Sequence, residues 1–338
     1  MISIPNEIDE LIKHYFVDPK YTVDDVPFGL TNVTKIIEVE KKKYVIRIYN
    51  KHIKEAQGID FEAKVLSFLT DQEPSFTLPL FLKTLSGKEY VQLKSGKLGA
   101  IITYLDGHVP VLSDMFRVFD YGKLAGEFSK HINKLNVHHL EHRGKSFVDY
   151  YTLHPLADKK SVMSFITSPP IPISEDRLTF LRKAILETER SKAEIDVLPV
   201  QLVHHDLLIY NLLSNQNQIT GVLDFDFISV DVSFLEFIIC LHHIIQESSY
   251  SLESVEIFIK GYASFRNHSL MEISKLSILS QVYFIAVLNI YIGQYHSGVN
   301  IEGNFNFILN QFFRSTEWLE KNEKMVLETM KLYLVEQK

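Results

Sequence analysis

The chain has 338 residues, 46 % hydrophobic and 23 % charged, with a formal net charge of −7. This is the make-up of a globular protein and excludes a disordered, collagen-like or coiled-coil chain; the acidic balance argues against a nucleic-acid surface and suits a small cationic substrate. A single cysteine, Cys240, leaves no intramolecular disulfide, and the length suggests two domains.

The start, Met1 to Glu10, lacks a basic stretch followed by an apolar core, so no secretory signal is expected and a cytoplasmic location is. Ile8, Leu11, Ile12 and Tyr15 recur at helical spacing. Two β-rich runs follow, Val33 to Val39 and Tyr44 to Tyr49, joined by the charged turn Glu40 to Lys43; they predict an antiparallel hairpin. Residues 53–70 return to helical spacing. Strand-like pieces are expected at Leu78 to Leu82, Glu89 to Leu93 and Ala100 to Tyr104, before Asp106-Gly107 breaks the pattern. Beyond residue 112 the chain reads as mostly helical, with one helix over Phe119 to Asn136 and another capped by Ser174. A short β-rich island interrupts at residues 200–228, and apolar helices resume from Ser233. The stretch from Leu276 to Gly293 is long enough to span a bilayer, but Ser277, Ser280, Gln281 and Asn289 interrupt it. A buried core helix is expected there.

The island carries the chemistry. It reads His204-His205-Asp206-Leu207, with Asn211 five residues after Asp206, then a turn, then Gly221-Val222-Leu223-Asp224-Phe225-Asp226. Phosphoryl transfer asks a protein chiefly for positioning and charge neutralisation. An aspartate can accept the proton of an attacking hydroxyl, which makes Asp206 the candidate base. Magnesium wants hard oxygen ligands, which Asn211 and Asp224 would supply. This order of residues is the catalytic-loop and metal-aspartate arrangement of protein-kinase-like phosphotransferases. His204 is expected to brace the loop.

The N-terminal part offers a matching half. Arg47, in Tyr44-Val45-Ile46-Arg47, stands where a kinase carries its strand lysine and can pair with phosphates through its fork. Glu62 on the next helix is its expected partner. The loop Phe28-Gly29-Leu30-Thr31-Asn32 could cover the phosphates with backbone amides, Gly29 and Asn32 among them. The run Ile101-Ile102-Thr103-Tyr104-Leu105-Asp106-Gly107 is the candidate hinge, where backbone groups of Ile102 and Tyr104 would meet adenine.

With these residues in view, the sequence resembles the aminoglycoside phosphotransferase superfamily, which includes choline kinases and type II homoserine kinases. The resemblance runs from about Gly29 to Leu241 and rests on His204-x-Asp206-x4-Asn211, on Asp224-Phe225 and on Tyr104-Leu105-x-Gly107. It implies an α+β, protein-kinase-like two-lobe fold. Residues 1–105 would form a small antiparallel β-sheet lobe that binds nucleotide, with the hinge near 101–107. Residues 106–338 would form a larger, mainly helical lobe with the catalytic loop at 203–213 and the metal motif at 221–226. The run Asp224-Phe225-Asp226-Phe227-Ile228-Ser229-Val230-Asp231, then Phe234-Leu235-Glu236-Phe237, matches the spacing of type II homoserine kinases without a gap. Two departures stand out: the family's common His-Gly-Asp is His204-His205-Asp206 here, and its Tyr-Asp-Leu-Ala box is Leu235-Glu236-Phe237-Ile238.

The expected function is therefore transfer of the γ-phosphate of ATP, with Mg2+, to a hydroxyl of a small molecule. An amino alcohol or amino acid such as homoserine ranks ahead of an aminoglycoside and of choline. Asp231 and Glu236 are candidate substrate carboxylates for an ammonium group; for Asp231 the competing reading is a supporting role behind the site or the capping of a helix. The alternative function is a non-catalytic, regulatory nucleotide-binding pseudokinase, and a metal-dependent hydrolase ranks last. No nucleic-acid or membrane partner is expected, and the chain would be a monomer or homodimer. His138, His139 and His142 read as solvated helix residues, and Cys240 and the aromatic stripe near Phe312 as packing; His242 and His243 are expected to be packed or hydrogen-bonded.

Overall fold

A computed structural model describes residues 4–26, 32–50, 54–216 and 218–336. The chain divides into two units, Met1–His108 with Thr220–Asp226, and Val109–Ile219 with Phe227–Lys338. The metal motif expected in the second domain thus belongs to the first.

The first unit is built on a sheet. Its elements are α1 (Ile4–Lys13), β1 (Tyr21–Asp25), β2 (Val33–Val39), β3 (Lys42–Ile48), α2 (Ala56–Thr70), β4 (Tyr90–Gln92) and β5 (Leu98–Thr103). The strands run antiparallel in the order β1-β2-β3-β5-β4. Glu40 and Lys41 are both left-handed, with φ of 51° and 67°, which is the two-residue turn whose twist matches a hairpin. Strand alternation puts Ile37, Val39, Ile46, Ile48 and Ile101 on the face that meets Ile8, Leu11 and Ile12 of α1. Each fully buried side chain of this kind contributes about 1.5–3 kcal/mol. The opposite face carries Tyr49 and Ala100 against Ile59 of α2, and Arg47 projects to that side.

Two expectations change here. β1 was not legible as a strand; it is an exposed edge whose Asp24 and Asp25 discourage further pairing. Leu78 to Leu82 forms no strand, because Pro79 has no N–H to give a ladder; only Phe81 bridges to Ile102.

The second unit is mainly helical. Its helices are α3 (Met115–Ile132), α4 (Lys159–Thr167), α5 (Glu175–Arg190), α6 (Lys192–Ile195), α7 (Phe234–Glu247), α8 (Leu252–Ala263), α9 (Leu270–Ile273), α10 (Leu276–His296) and α11 (Glu302–Leu334). The expected helix over Phe119 to Asn136 starts earlier, because Asp114 accepts the Arg117 N–H as an N-cap. Ser174 occupies the cap position of α5 but makes no side-chain cap bond. β6 (Val200–Val203) pairs antiparallel with β9 (Ser229–Val232), and β7 (Leu212–Asn215) with β8 (Gln218–Val222). Single 3-10 turns lie at Val137–His139 and Ile209–Asn211, and a 3-10 segment kinked at Asp149 spans Phe147–Thr152.

Helices α3 and α8 approach through glycines. A Cβ on Gly122 or Gly126 would stand 2.3 Å from the carbonyl oxygen of Phe258 or Tyr262, and one on Gly261 would stand 2.3 Å from that of Phe119. Helix α10 is the one helix among the described residues long and apolar enough to cross a membrane; 67 % of its most apolar window is buried within the protein. It packs against α5, α7 and α11 as a core helix.

Candidate active site

The face of β3 that bears Arg47 meets a cluster of buried charges in the first unit. Arg47 Nη2 lies 2.7 Å from Asp226 Oδ2 and 2.9 Å from Asp224 Oδ1, and Nη1 lies 3.4 Å from Glu62. The tightest partner of Glu62 is Lys54, whose Nζ sits 2.5 Å from Oε2 and 3.4 Å from Asp226. Burial opposes both cations. Asp226 and Asp224 nevertheless hold the Arg47 guanidinium well above its ordinary range, and Glu62 then Asp226 do the same for the Lys54 ammonium.

The expected Arg47–Glu62 pair is therefore present, at 3.4 Å, as one of the two longer edges of a network centred on Asp226. Lys54 was missed by sequence reasoning, which looked for one cation on the strand. Its position just ahead of α2, eight residues before Glu62, was the available signal.

Asn32 is committed within this network. Its Nδ2 donates to Asp226 at 2.6 Å and its Oδ1 accepts the Asn50 N–H at 3.0 Å. Gly29 and the rest of that loop up to Thr31 lie outside the described residues. Asp224 differs from its neighbours: its side chain is 38 % exposed, against 2 % for Glu62 and Asp226. It also holds a left-handed φ of 60°, rare for a residue with a side chain.

At the expected hinge, Ile101 and Thr103 turn their backbone groups to Leu82 and Leu80. The alternation then directs those of Ile102 toward Val45 of β3. Ile102 thus spends its backbone on the sheet, whereas the backbone of Tyr104, just past the strand end, lies beyond the ladder.

In the second unit the catalytic loop hangs from two helices. Glu236 Oε2 accepts the His204 N–H at 2.6 Å, Cys240 Sγ lies 3.6 Å from the Leu207 carbonyl, and His243 Nε2 accepts the Ile209 N–H at 3.2 Å. These residues fall at i, i+4 and i+7, one stripe of α7. Tyr121 of α3 donates to the same Leu207 carbonyl at 2.7 Å. Within the loop, Asp206 N–H donates to His204 Nδ1 at 3.2 Å, so His204 braces the turn. Asn211 Nδ2 donates to the Asp206 carbonyl at 2.9 Å and to its carboxylate at 2.7 Å. With its amide N–H2 used this way, the oxygen of Asn211 is the group left to meet a cation.

Asp231 and Glu236, expected to meet a substrate ammonium, are engaged inside the protein. Both are buried, at 3 % and 0 % exposure. Asp231 accepts from Phe147 N–H at 2.5 Å, from Val232 N–H at 2.8 Å and pairs with His205 Nε2 at 2.9 Å. Burial raises the Glu236 carboxyl to about 7 despite the His204 N–H. The spacing match was real, but both side chains point into the protein, where they tie down backbone.

The groups that share electrostatic surroundings with Asp206 lie on α10 instead. Burial, then the Asp206 charge, push the phenols of Tyr283 and Tyr291 above their ordinary range. They belong to a half-buried stripe with Val287, Ile290 and Gln294 that runs along the helix from Tyr283 to Gln294. That stripe of partial polarity is what reading α10 as plain core passed over. His242 packs between Tyr283 and Phe284, and burial drops it to about 3, so it is neutral.

No group of three or more His, Cys, Asp or Glu among the described residues is arranged to hold a metal by itself. That suits magnesium at a phosphate, which takes only one or two protein ligands and completes its shell with waters and phosphate oxygens. The exposed carboxylate of Asp224 and the amide oxygen of Asn211 are hard donors of the right kind.

Fold and site together define a small-molecule phosphotransferase. Residues 23–266 match the phosphotransferase enzyme family, and the chain belongs to it. It is 23 % identical over 250 residues to a homoserine kinase of Zymomonas mobilis, 71 % of each chain. It is 21 % identical to a homoserine kinase of Bradyrhizobium diazoefficiens, over 82 % of this chain and 80 % of that one. Among solved structures, amicoumacin kinase hAmiN in complex with AMP-PNP, Ca2+ and Ami shares the fold. The TM-score is 0.65 at 14 % identity, covering 99 % of this chain and 95 % of the other.

Proposed function

We propose that the chain moves the γ-phosphate of ATP to a hydroxyl of a small amine-bearing acceptor in the cytoplasm, with homoserine or an amino alcohol ahead of an aminoglycoside. The observation that carries this reading is the Asp206 carboxylate held by Asn211 on a loop fastened to α7. The likeness to two homoserine kinases supports the ranking of acceptors.

Asp206 accepts the proton of the acceptor hydroxyl, or orients that hydroxyl toward phosphorus. Asn211 keeps the Asp206 carboxylate in one orientation; its amide oxygen and the Asp224 carboxylate are the hard donors that would hold Mg2+. Bound Mg2+ supplies neutralisation of charge on the transferring phosphate. Arg47 and Lys54 add positive charge on the nucleotide side, kept in place by Glu62 and Asp226. Tyr104 offers backbone hydrogen bonds to adenine. Tyr283 and Tyr291 take over the acceptor role first given to Asp231 and Glu236; their rings suit an ammonium group. The presence of Asp206, Asn211 and Asp224 in the chain speaks against a non-catalytic role.

The test is ADP release with Mg2+ and ATP over homoserine, ethanolamine, choline, methylthioribose, aminoglycosides and macrolides. A hit is expected among the amine-bearing alcohols, and Asp206→Asn should lower kcat by about a thousandfold with ATP binding retained. Absence of Mg-ATP binding by calorimetry would sink the kinase reading.

A further inference from the structure

His205 stands where the resemblance expects glycine, and its backbone explains that expectation: φ is 67°, the left-handed region that favours glycine. A histidine there is strained by about 1 kcal/mol or more, so something must hold it. The ring is fully buried and lies against the Phe147 ring at 4.2 Å, with the two planes 28° apart. Its Nδ1 is 3.0 Å from the Phe227 carbonyl and its Nε2 is 2.9 Å from Asp231 Oδ2. The Asp231 carboxylate also accepts two backbone N–H groups, from Phe147 and Val232. A carboxylate surrounded by donors is in its ionised, accepting form, and a carbonyl can only accept. Both ring nitrogens of His205 must then donate, which only the imidazolium can do.

From this geometry we propose that His205 is a positioning residue: its imidazolium, locked between Asp231 and Phe227, holds the strained turn that presents Asp206. The strap joins three segments of the second unit. Asp231 lies on β9 opposite Gln201 of β6, the strand that leads into the loop. Phe147 opens the 3-10 turn that follows Gly144. That glycine is also left-handed, and a Cβ there would stand 2.6 Å from the Ile228 carbonyl oxygen, so the segment can lie against β9 only without a side chain. The part of the proposal that concerns catalysis rests on the kinase reading; the part that concerns the strap does not.

Two measurements on the full chain separate them. Long-range 15N correlation NMR reads the His205 ring directly: two protonated nitrogens at neutral pH are expected. One bare nitrogen would overturn the proposal whatever the enzyme's acceptor. His205→Gly, which keeps the backbone conformation without strain, should speed amide exchange of residues 204–207. It should lower kcat for the acceptor found in the panel by about ten- to a hundredfold with KM for ATP unchanged. Added imidazole, which fits the vacated space, should restore part of kcat. A His205→Gly enzyme with wild-type kcat and wild-type exchange would show that the histidine merely fills space.

Discussion

Lys54 and Arg47 occupy one buried network yet have different duties. Arg47 spans three carboxylates, while Lys54 is the close partner of Glu62. Removing one cation from such a group leaves a buried carboxylate uncompensated, which typically costs about 3–5 kcal/mol. Lys54→Met should therefore lose about that much in urea unfolding and weaken Mg-ATP binding in calorimetry. Glu236 gives a pH test. Its carboxyl sits at about 7 in the fold against an ordinary 4.5. Below pH 4.5 it is protonated in both states and costs nothing. As pH rises to about 7 the unfolded chain ionises first, and stability drains by up to about 3 kcal/mol, then levels off. Glu236→Gln can still accept the His204 N–H. Urea midpoints measured across pH 4–8 should show the variant gaining on the wild type through that window and holding its lead above it.

At the scale of elements, α3 and α8 cross with no room for a methyl group, because the contacts at Gly122, Gly126 and Gly261 are to backbone oxygen, which cannot rotate away. Gly126→Ala should lower stability by about 1–3 kcal/mol or more, read as a drop in Tm, although alanine is the better helix former. The sequence made much of this architecture legible. The β2–β3 pair, α2 and the helices after Ser233 follow from periodicity, and Asp206, Asn211 and Asp224 from spacing. What stayed hidden depends on direction. Period and spacing do not say whether Glu236 faces a substrate or a loop amide. Nor could they show that Glu236, Cys240 and His243, at i, i+4 and i+7, would all turn to the backbone of one loop. Lys54 was passed over for a related reason: its place ahead of α2 was the one hint, and no local pattern encodes its burial.

On the scale of the whole molecule, the first unit is not one stretch of chain. It takes Thr220–Asp226 back from far along the sequence, and Thr77 of the N-terminal stretch bridges to Gly221. A chain cut after residue 219 keeps every strand of the five-stranded sheet but loses Asp224 and Asp226. Arg47 and Lys54 then share Glu62 alone. Such a fragment should be cleaved by protease within the N-terminal unit far faster than the full chain.

The same discontinuity sets a timetable for synthesis. While the ribosome is still making residues 109–219, the sheet of the first unit exists with two buried cations and one anion to balance them, a state that water will keep partly open. Only when Asp224 and Asp226 emerge can that charge be closed over. The first unit, begun first, is thus finished only after the loop bearing Asp206 has left the ribosome, so a nascent chain cannot close its buried charge network before that loop has been made.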